Sequence, residues 1–390
     1  MIPALFLYYS FFALSLGAFC KKRKKKSYKI VGFKQGVGVL QSRNILETYG
    51  IKIKKELPLV DACLCEVEPH NARIQQLSED PFIEYIEDDY EAAIQVMPYA
   101  VSVKPKGQEI PWGVKKISAQ PVWKTCKGEG VRVGIVDTGV DLSHPDLKDN
   151  IKEAHGVLDC KNILDDNGHG THVAGTIAAL DNDIGVVGVA PKVEIYAVKA
   201  FDKNGRGNIS GIVEALNWCL EKKVHVVNMS FGIKNKSFTL RRAIQALHKN
   251  NVVLVAAAGN AGGENSVLYP AKYPEVIAVA ACGQDERPAS FTSSGPEVDI
   301  TAPGVDILST YKNGHYKLMS GTSMAAPHVS GAAALLLSIH QMKAEEVKEL
   351  LKSAARDLGF PKEKQGAGLV DVEKAVMSIN KVRRGKDEGI

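Results

Sequence analysis

The chain predicts a three-layer α/β/α domain with a mainly parallel sheet, preceded by a smaller α+β module. Three observations carry this. Continuous apolar runs at residues 131–137, 193–201, 224–229, 252–258 and 276–281 have strand length and little alternation, as strands buried on both faces do. Helix-length segments at 171–180, 209–221, 240–249 and 323–339 separate and follow them, and alternating strands and helices build parallel neighbours. Ahead of both, residues 27–94 change to shorter and more polar elements.

Taken in order, residues 2–19 are an apolar stretch followed at once by Cys20 and the cationic run Lys21-Lys22-Arg23-Lys24-Lys25-Lys26. The stretch resembles an export segment, so the expected location is extracellular. Its positive charge follows the apolar core instead of preceding it, which equally suits a short amino-terminal membrane anchor. With residues 1–26 set apart, residues 27–94 read strand, helix, strand, strand, helix, strand, at 28–33, 40–49, 51–60, 62–67, 71–78 and 83–88, a ferredoxin-like order. Residues 95–107 hold Pro98 and Pro105 with little periodicity and read as a linker. The large domain is expected over 108–380 and a polar tail over 381–390.

At 390 residues and 45% hydrophobic content, the chain can bury a large core. Its formal charge of +5 resides in the six cations at 21–26, without which the balance turns slightly negative. That argues against nucleic acid as a partner of the folded body. Later apolar runs are short and broken by glycine or charge, so none reads as a membrane span. The cysteines number seven, with no Cys-x-x-Cys pair. Cys63 and Cys65 lie two apart on one strand, where a bridge would be strained, and Cys126, Cys160, Cys219 and Cys282 are compatible with buried thiols or a bridge. A monomer is expected.

Three short segments carry chemistry: Ile135-Val136-Asp137-Thr138-Gly139, Asn167-Gly168-His169-Gly170-Thr171-His172 and Gly321-Thr322-Ser323-Met324-Ala325. A serine hydroxyl attacks a carbonyl only if a base takes its proton, and His169 is assigned that task. The base must be neutral, so activity is expected at neutral to alkaline pH. Asp137, at the end of an apolar run, would orient the imidazole and stabilise its cationic form. Asn260 ends the run 252–260 after a glycine and supplies an amide donor for the oxyanion, with the Ser323 N–H at a helix start as the second.

Other chemistries fit less well. A nucleophile elbow needs Gly-x-Ser-x-Gly and a serine that comes first, whereas here the motif ends in Ala325 and the serine comes last. His169 and His172 have a spacing that can hold zinc, but no further ligands lie near, so His172 is assigned a structural bond. No Gly-x-Gly-x-x-Gly follows Asp137, which argues against a dinucleotide site. A non-catalytic binding protein would have no need of all four chemical positions.

These motifs resemble those of the subtilisin-like serine proteases over about residues 108–375. The resemblance covers Asp137 to Leu147, His169 to Gly175, Ile184 to Pro191, Asn228 to Gly232 and Gly321 to His328, and the chain order Asp, His, Ser is that of the family. It implies an endopeptidase acting on proteins or peptides through an acyl-enzyme. It also implies that residues 27–94 are a pro-domain serving as intramolecular chaperone and inhibitor, that the chain is a self-processing zymogen, and that 95–107 is the processing linker, cut either near Gln95, after the acidic strand, or just before the segment that Gln108 opens. Ser230 and Gly232 on one side, and Gly205 and Gly207 on the other, would flank an extended substrate. Ala258, Gly259 and Leu268 would line a pocket for hydrophobic or medium-sized residues rather than Lys or Arg. A structural calcium site is implied at Gln108, Asp146, Leu180, Asn182, Ile184 and Val186, where hard oxygen donors suit Ca²⁺. A weaker cation site is implied at Ala271, Tyr273, Val276 and Asp299.

Overall fold

The structure, a computed structural model, describes residues 27–68, 72–157 and 163–387. The export-like stretch with its basic run, Cys20 and Cys160 lie outside these residues.

The amino-terminal module comprises β1 (Ser27–Phe33), α1 (Val39–Thr48), β2 (Lys52–Leu57), β3 (Ala62–Val67), α2 (Ala72–Ser78) and β4 (Ile83–Asp88). Its strands pair antiparallel in the order β2-β3-β1-β4. The second strand ends at Leu57, earlier than expected. Pro58 has no N–H for the ladder, and Pro58–Val60 turn as a 3₁₀ helix. Strand alternation divides β1 between two cores: Val31 and Phe33 join Leu46 and Leu77 inside the module, whereas Ile30 joins the core of the large domain.

Next come β5 (Glu91–Ile94), β6 (Ala100–Val103) and the short helices α3 (Trp112–Lys116) and α4 (Ala119–Val122). The body then alternates: β7 (Arg132–Asp137), β8 (Ile151–Gly156), α5 (His169–Ala178), β9 (Glu194–Lys199), β10 (Arg206–Asn208), α6 (Ile209–Glu221), β11 (Val226–Met229), β12 (Phe231–Gly232), α7 (Phe238–Lys249), β13 (Val253–Ala257) and β14 (Val276–Cys282). It closes with β15 (Ile300–Pro303), β16 (Ile307–Tyr311), β17 (His315–Met319), α8 (Thr322–Ile339), α9 (Ala344–Ala354), α10 (Lys362–Gln365) and α11 (Val372–Asp387). The last helix extends into the segment expected as a tail.

Among the described residues, seven strands form one parallel sheet in the order β15-β14-β13-β11-β7-β9-β8. Val133, Ile135, Val253 and Val255 face α5 and α8, while Val136, Val227, Leu254 and Ala256 face α6 and α7. This alternation makes the three expected layers. Helix α8 is long and apolar enough to cross a membrane by composition, yet it is mostly buried as a core helix. The chain leaves β7 toward β9 on one side and later returns to β11 on the other, and such a switch opens a crevice at the carboxyl ends of the strands.

Candidate active site

Asp137 is the last residue of β7, at that crevice. Its Oδ1 accepts the Thr138 N–H at 2.7 Å and pairs with His169 Nδ1 at 2.7 Å, with both side chains buried. His169 starts α5 directly after Gly168, whose φ of +107° favours glycine. Gly170 is required for the approach, because a Cβ there would fall 2.0 Å from the Gly139 carbonyl oxygen. Asp165 locks the preceding loop by accepting from the N–H groups of Asn167, Gly168 and Thr171 and from the hydroxyls of Thr138 and Thr171. Sequence reasoning passed over Asp165, although an Asp two residues before Asn-Gly signals such a turn.

Ser323 lies in the first turn of α8. Pro327 has no N–H for the Ser323 carbonyl, and the Ser230 hydroxyl donates to that oxygen at 3.1 Å instead. Ser323 Oγ donates to the Ser230 carbonyl at 2.8 Å and accepts from the Gln95 N–H at 3.0 Å. The bond expected from this hydroxyl to His169 is therefore not the one made, and His169 Nε2 is buried without a partner. Residue 95 fills the cleft here, and its N–H is one of the two partners of the hydroxyl.

Asn260 follows β13 and is fixed by its Oδ1, which accepts the Thr322 N–H and hydroxyl at 2.9 Å each. Its Nδ2 is left buried and unpartnered. The Ser323 N–H donates to the Gln95 carbonyl at 3.1 Å. A Cβ on Gly321 would fall 2.6 Å from that same oxygen and 3.2 Å from Asn260 Nδ2, so glycine leaves room for a carbonyl beside both donors.

Strand β5 lies in the cleft between β10 and β12, antiparallel to both. Gly207 registers with Ala92 and Gly232 with Ala93, while Ile94 N–H donates to Gly205 and Gln95 N–H to Ser230, each at 3.1 Å. The four expected flanking residues are thus brought together around residues 92–95. Gln95 lines a pocket with Gly232, Asn260, Ala261 and Leu268. Leu268 packs over Gly232 and Gly259, whereas Ala258 gives its carbonyl to the Leu268 N–H and turns its side chain into the core.

Besides the apolar contact at Ile30, two carboxylates tie the amino-terminal part of the chain to helix starts in the large domain. Glu87 accepts from the Ser237 hydroxyl and the N–H groups of Phe238 and Thr239 at the start of α7, and Asp89 accepts from the N–H and hydroxyl of Ser210 in the first turn of α6. Negative charge at helix starts is stabilising there, although burial pushes the Asp89 carboxyl upward. His172 has the structural role expected of it. Its Nε2 meets the carbonyls of Ile307 and Lys317 at 3.0 and 3.1 Å, and burial lowers the ring to about 3, keeping it neutral.

The residues expected to hold calcium converge. Gln108 Nε2 lies 2.9 Å from the Leu180 carbonyl, 3.4 Å from Asn182 Oδ1 and 3.5 Å from the Ile184 carbonyl. Asp146 Oδ2 accepts the Val186 N–H, its Oδ1 is buried without a partner, and burial raises the carboxyl to about 7. Carbonyl and amide oxygens together with one carboxylate are donors of the hard kind that Ca²⁺ takes, which leaves these residues compatible with the ion. At the expected weaker cation site, Lys348 Nζ donates to the carbonyls of Pro274 and Val276 at 2.9 Å and pairs with Asp299 at 3.0 Å. The chain's own ammonium stands there. Cys63, Cys65, Cys126, Cys219 and Cys282 are free thiols.

The subtilase family model matches residues 128–369. Subtilisin E of Bacillus subtilis is 38% identical over 374 residues, covering 94% of this chain and 94% of its own. The thermostable alkaline protease of Halalkalibacterium halodurans is 38% identical over 357 residues, covering 90% and 92%. Subtilisin DY of Bacillus licheniformis is 45% identical over 273 residues, covering 69% of this chain and 99% of its own.

Proposed function

Because this chain belongs to the subtilase family of serine endopeptidases, we propose that Asp137, His169 and Ser323 are its catalytic triad and that its first substrate is its own Gln95–Val96 bond. The observation that carries this is the Gln95 carbonyl, which accepts the Ser323 N–H at 3.1 Å at the end of a strand paired on both sides. Rotation of Ser323 Oγ from the Ser230 carbonyl to His169 Nε2 activates the hydroxyl. Oγ attacks the Gln95 carbonyl carbon as His169 takes the proton, and Asp137 stabilises the imidazolium. The Ser323 N–H and Asn260 Nδ2 hold the oxyanion. His169 then protonates the Val96 nitrogen, the C–N bond breaks, and water hydrolyses the acyl-enzyme to leave a Gln95 carboxylate and a Val96 amine.

Residues 27–94 act in this reading as chaperone and inhibitor. Support comes from the Glu87 and Asp89 caps, from β5 filling the cleft, and from the antiparallel order β2-β3-β1-β4 of the module. Gln108, Asp146, Leu180, Asn182, Ile184 and Val186 would hold a structural calcium ion that braces the loop without entering the reaction. Protein substrates with uncharged residues of medium size, as Gln95 is, fit the pocket beside Leu268. Secretion follows the family's habit and the export-like stretch at 2–19, with anchoring by that stretch as the alternative.

The test is Ser323→Ala, which should leave the chain uncut, whereas the parent protein should show Val96 as a new amino terminus by mass spectrometry. Efficient cleavage of Ser323→Ala would mean that another protease does the cutting. Asn260→Ala should slow peptide turnover about 10² to 10³-fold, the magnitude already established for such a donor within this family.

A further inference from the structure

Beyond residue 95 the chain does not leave the cleft. Met97 N–H donates to the Ser320 carbonyl at 2.8 Å, and β6 then pairs antiparallel with β17, Ala100 opposite Met319, Val101 opposite Leu318, Ser102 opposite Lys317 and Val103 opposite Tyr316. Val103, Tyr316 and Leu318 pack on a small core of Ala179, Val186 and Leu308. The hairpin that receives β6 is itself braced by His172 through the carbonyls of Ile307 and Lys317. Farther on, Gln108 is already seated on the 180–184 loop while the Gln95 N–H is still bonded to Ser323 Oγ. Residues 96–107 therefore span from the nucleophile to that loop in the uncut chain, and cutting Gln95–Val96 requires no relocation of the strand on its carboxyl side.

We propose that the strand at residues 96–103 remains paired with β17 after Gln95–Val96 is cut, and that it occupies the leaving-group side of the cleft in competition with incoming protein substrates. The inference rests on cleavage at Gln95–Val96 as proposed above. Hydrolysis of that bond consumes one water and yields the Gln95 carboxylate and the Val96 amine. The amino-terminal module can then dissociate, but the amine is tethered within a few residues of its own binding edge. A tether of that length gives a high effective concentration and outcompetes free peptide. Substrates that need only the residues before the scissile bond are accepted, and those that must lay a strand beyond it are held off until β6 is displaced or trimmed.

The experiment replaces Lys104-Pro105-Lys106 with the recognition sequence of a site-specific protease, in the full chain, and purifies the self-processed enzyme. Turnover is compared before and after cutting at the new site, using two probes. One is a peptide carrying a chromogenic amine directly after the scissile bond. The other is an internally quenched peptide with six residues after it. Release of 96–103 should raise kcat/KM for the long probe about tenfold or more and leave the short probe unchanged. Equal rates for the long probe before and after release overturn the proposal. Absence of Val96 as the amino terminus of the processed enzyme overturns the cleavage assignment instead, and this proposal with it. As a check that needs no substitution, backbone amides of 100–103 in the processed, inhibitor-blocked parent should resist hydrogen exchange. Free exchange there also overturns the proposal.

Discussion

Asp146 and Asp299 pose one physical problem, and the fold meets it in two ways. Each carboxylate is largely buried, and a buried negative charge is costly unless hydrogen bonds or a cation answer it. At Asp299 the cation belongs to the chain, since Lys348 Nζ bridges Asp299 and the carbonyls of Pro274 and Val276. At Asp146 one oxygen is left without a partner and the carboxyl is raised to about 7. A tethered ammonium is present at any solution composition, whereas a diffusible ion stabilises only by mass action. If Asp146 holds calcium as proposed, one locus is indifferent to its medium and the other depends on it.

With calcium at Asp146 as proposed, the largest effect should come from removing that ion. With calcium at about a thousandfold over its Kd, binding to the folded state alone is worth about 4 kcal/mol, roughly 10 °C in Tm for a domain of this size. Calorimetry of Ser323→Ala with and without chelator reads this free of self-digestion. An unchanged Tm would remove calcium from Asp146 and leave the contrast with Asp299 unsupported.

Next in size is Lys348→Met, which leaves Asp299 buried without its main partner and should cost about 3 kcal/mol in urea unfolding. The sharper readout is acquired dependence. The variant should be stabilised by added potassium or calcium beyond any effect on the parent, because the vacated carbonyls and carboxylate now face an open cation position. A variant that loses stability without any cation response would show that Lys348 acts by packing its stem, not by standing in for an ion.

These two loci also divide what the sequence makes legible from what it hides. Gln108, Asp146 and the 180–186 loop could be proposed as cation ligands only through their resemblance to a family pattern, since no one of these segments spells out a metal site by itself. Lys348 could not, since it sits on a helix whose spacing looks like any amphipathic surface helix, and only the fold brings it to Asp299. The triad segments were readable for a related reason: Gly170 and Gly321 mark places where Asp137 and a carbonyl must approach backbone, and glycine is visible in one dimension. The turn of Ser323 toward Ser230 was not, because both of its partners come from segments far away in sequence. Strand β6 was hidden as well, being four residues at an edge between two prolines, with pairing supplied by a distant hairpin. The acidic strand at 83–88 was legible as a strand, but the service of Glu87 and Asp89 as helix caps needed the helix starts in place.

The smallest effect belongs to a carboxylate at the surface, which calibrates the other two. Glu286 pairs with Arg356 at 2.7 and 2.9 Å and with Lys116 at 2.9 Å. Hydrogen bonds from Arg356 first and Lys116 second hold its carboxyl at about 2, below the ordinary 4.5. A carboxyl lowered in the folded state stabilises it fully above the unfolded value and loses that contribution as pH falls from about 4.5 through about 2. Water screens these partners, so Glu286→Gln should cost only about 0.5–1 kcal/mol near neutrality. Its deficit in denaturant unfolding relative to the parent should shrink across that acid window and vanish near the bottom of it. A deficit as large as that of Lys348→Met would mean that burial is not what sets the need for a cation, and the distinction between Asp146 and Asp299 would have to be sought in loop geometry alone.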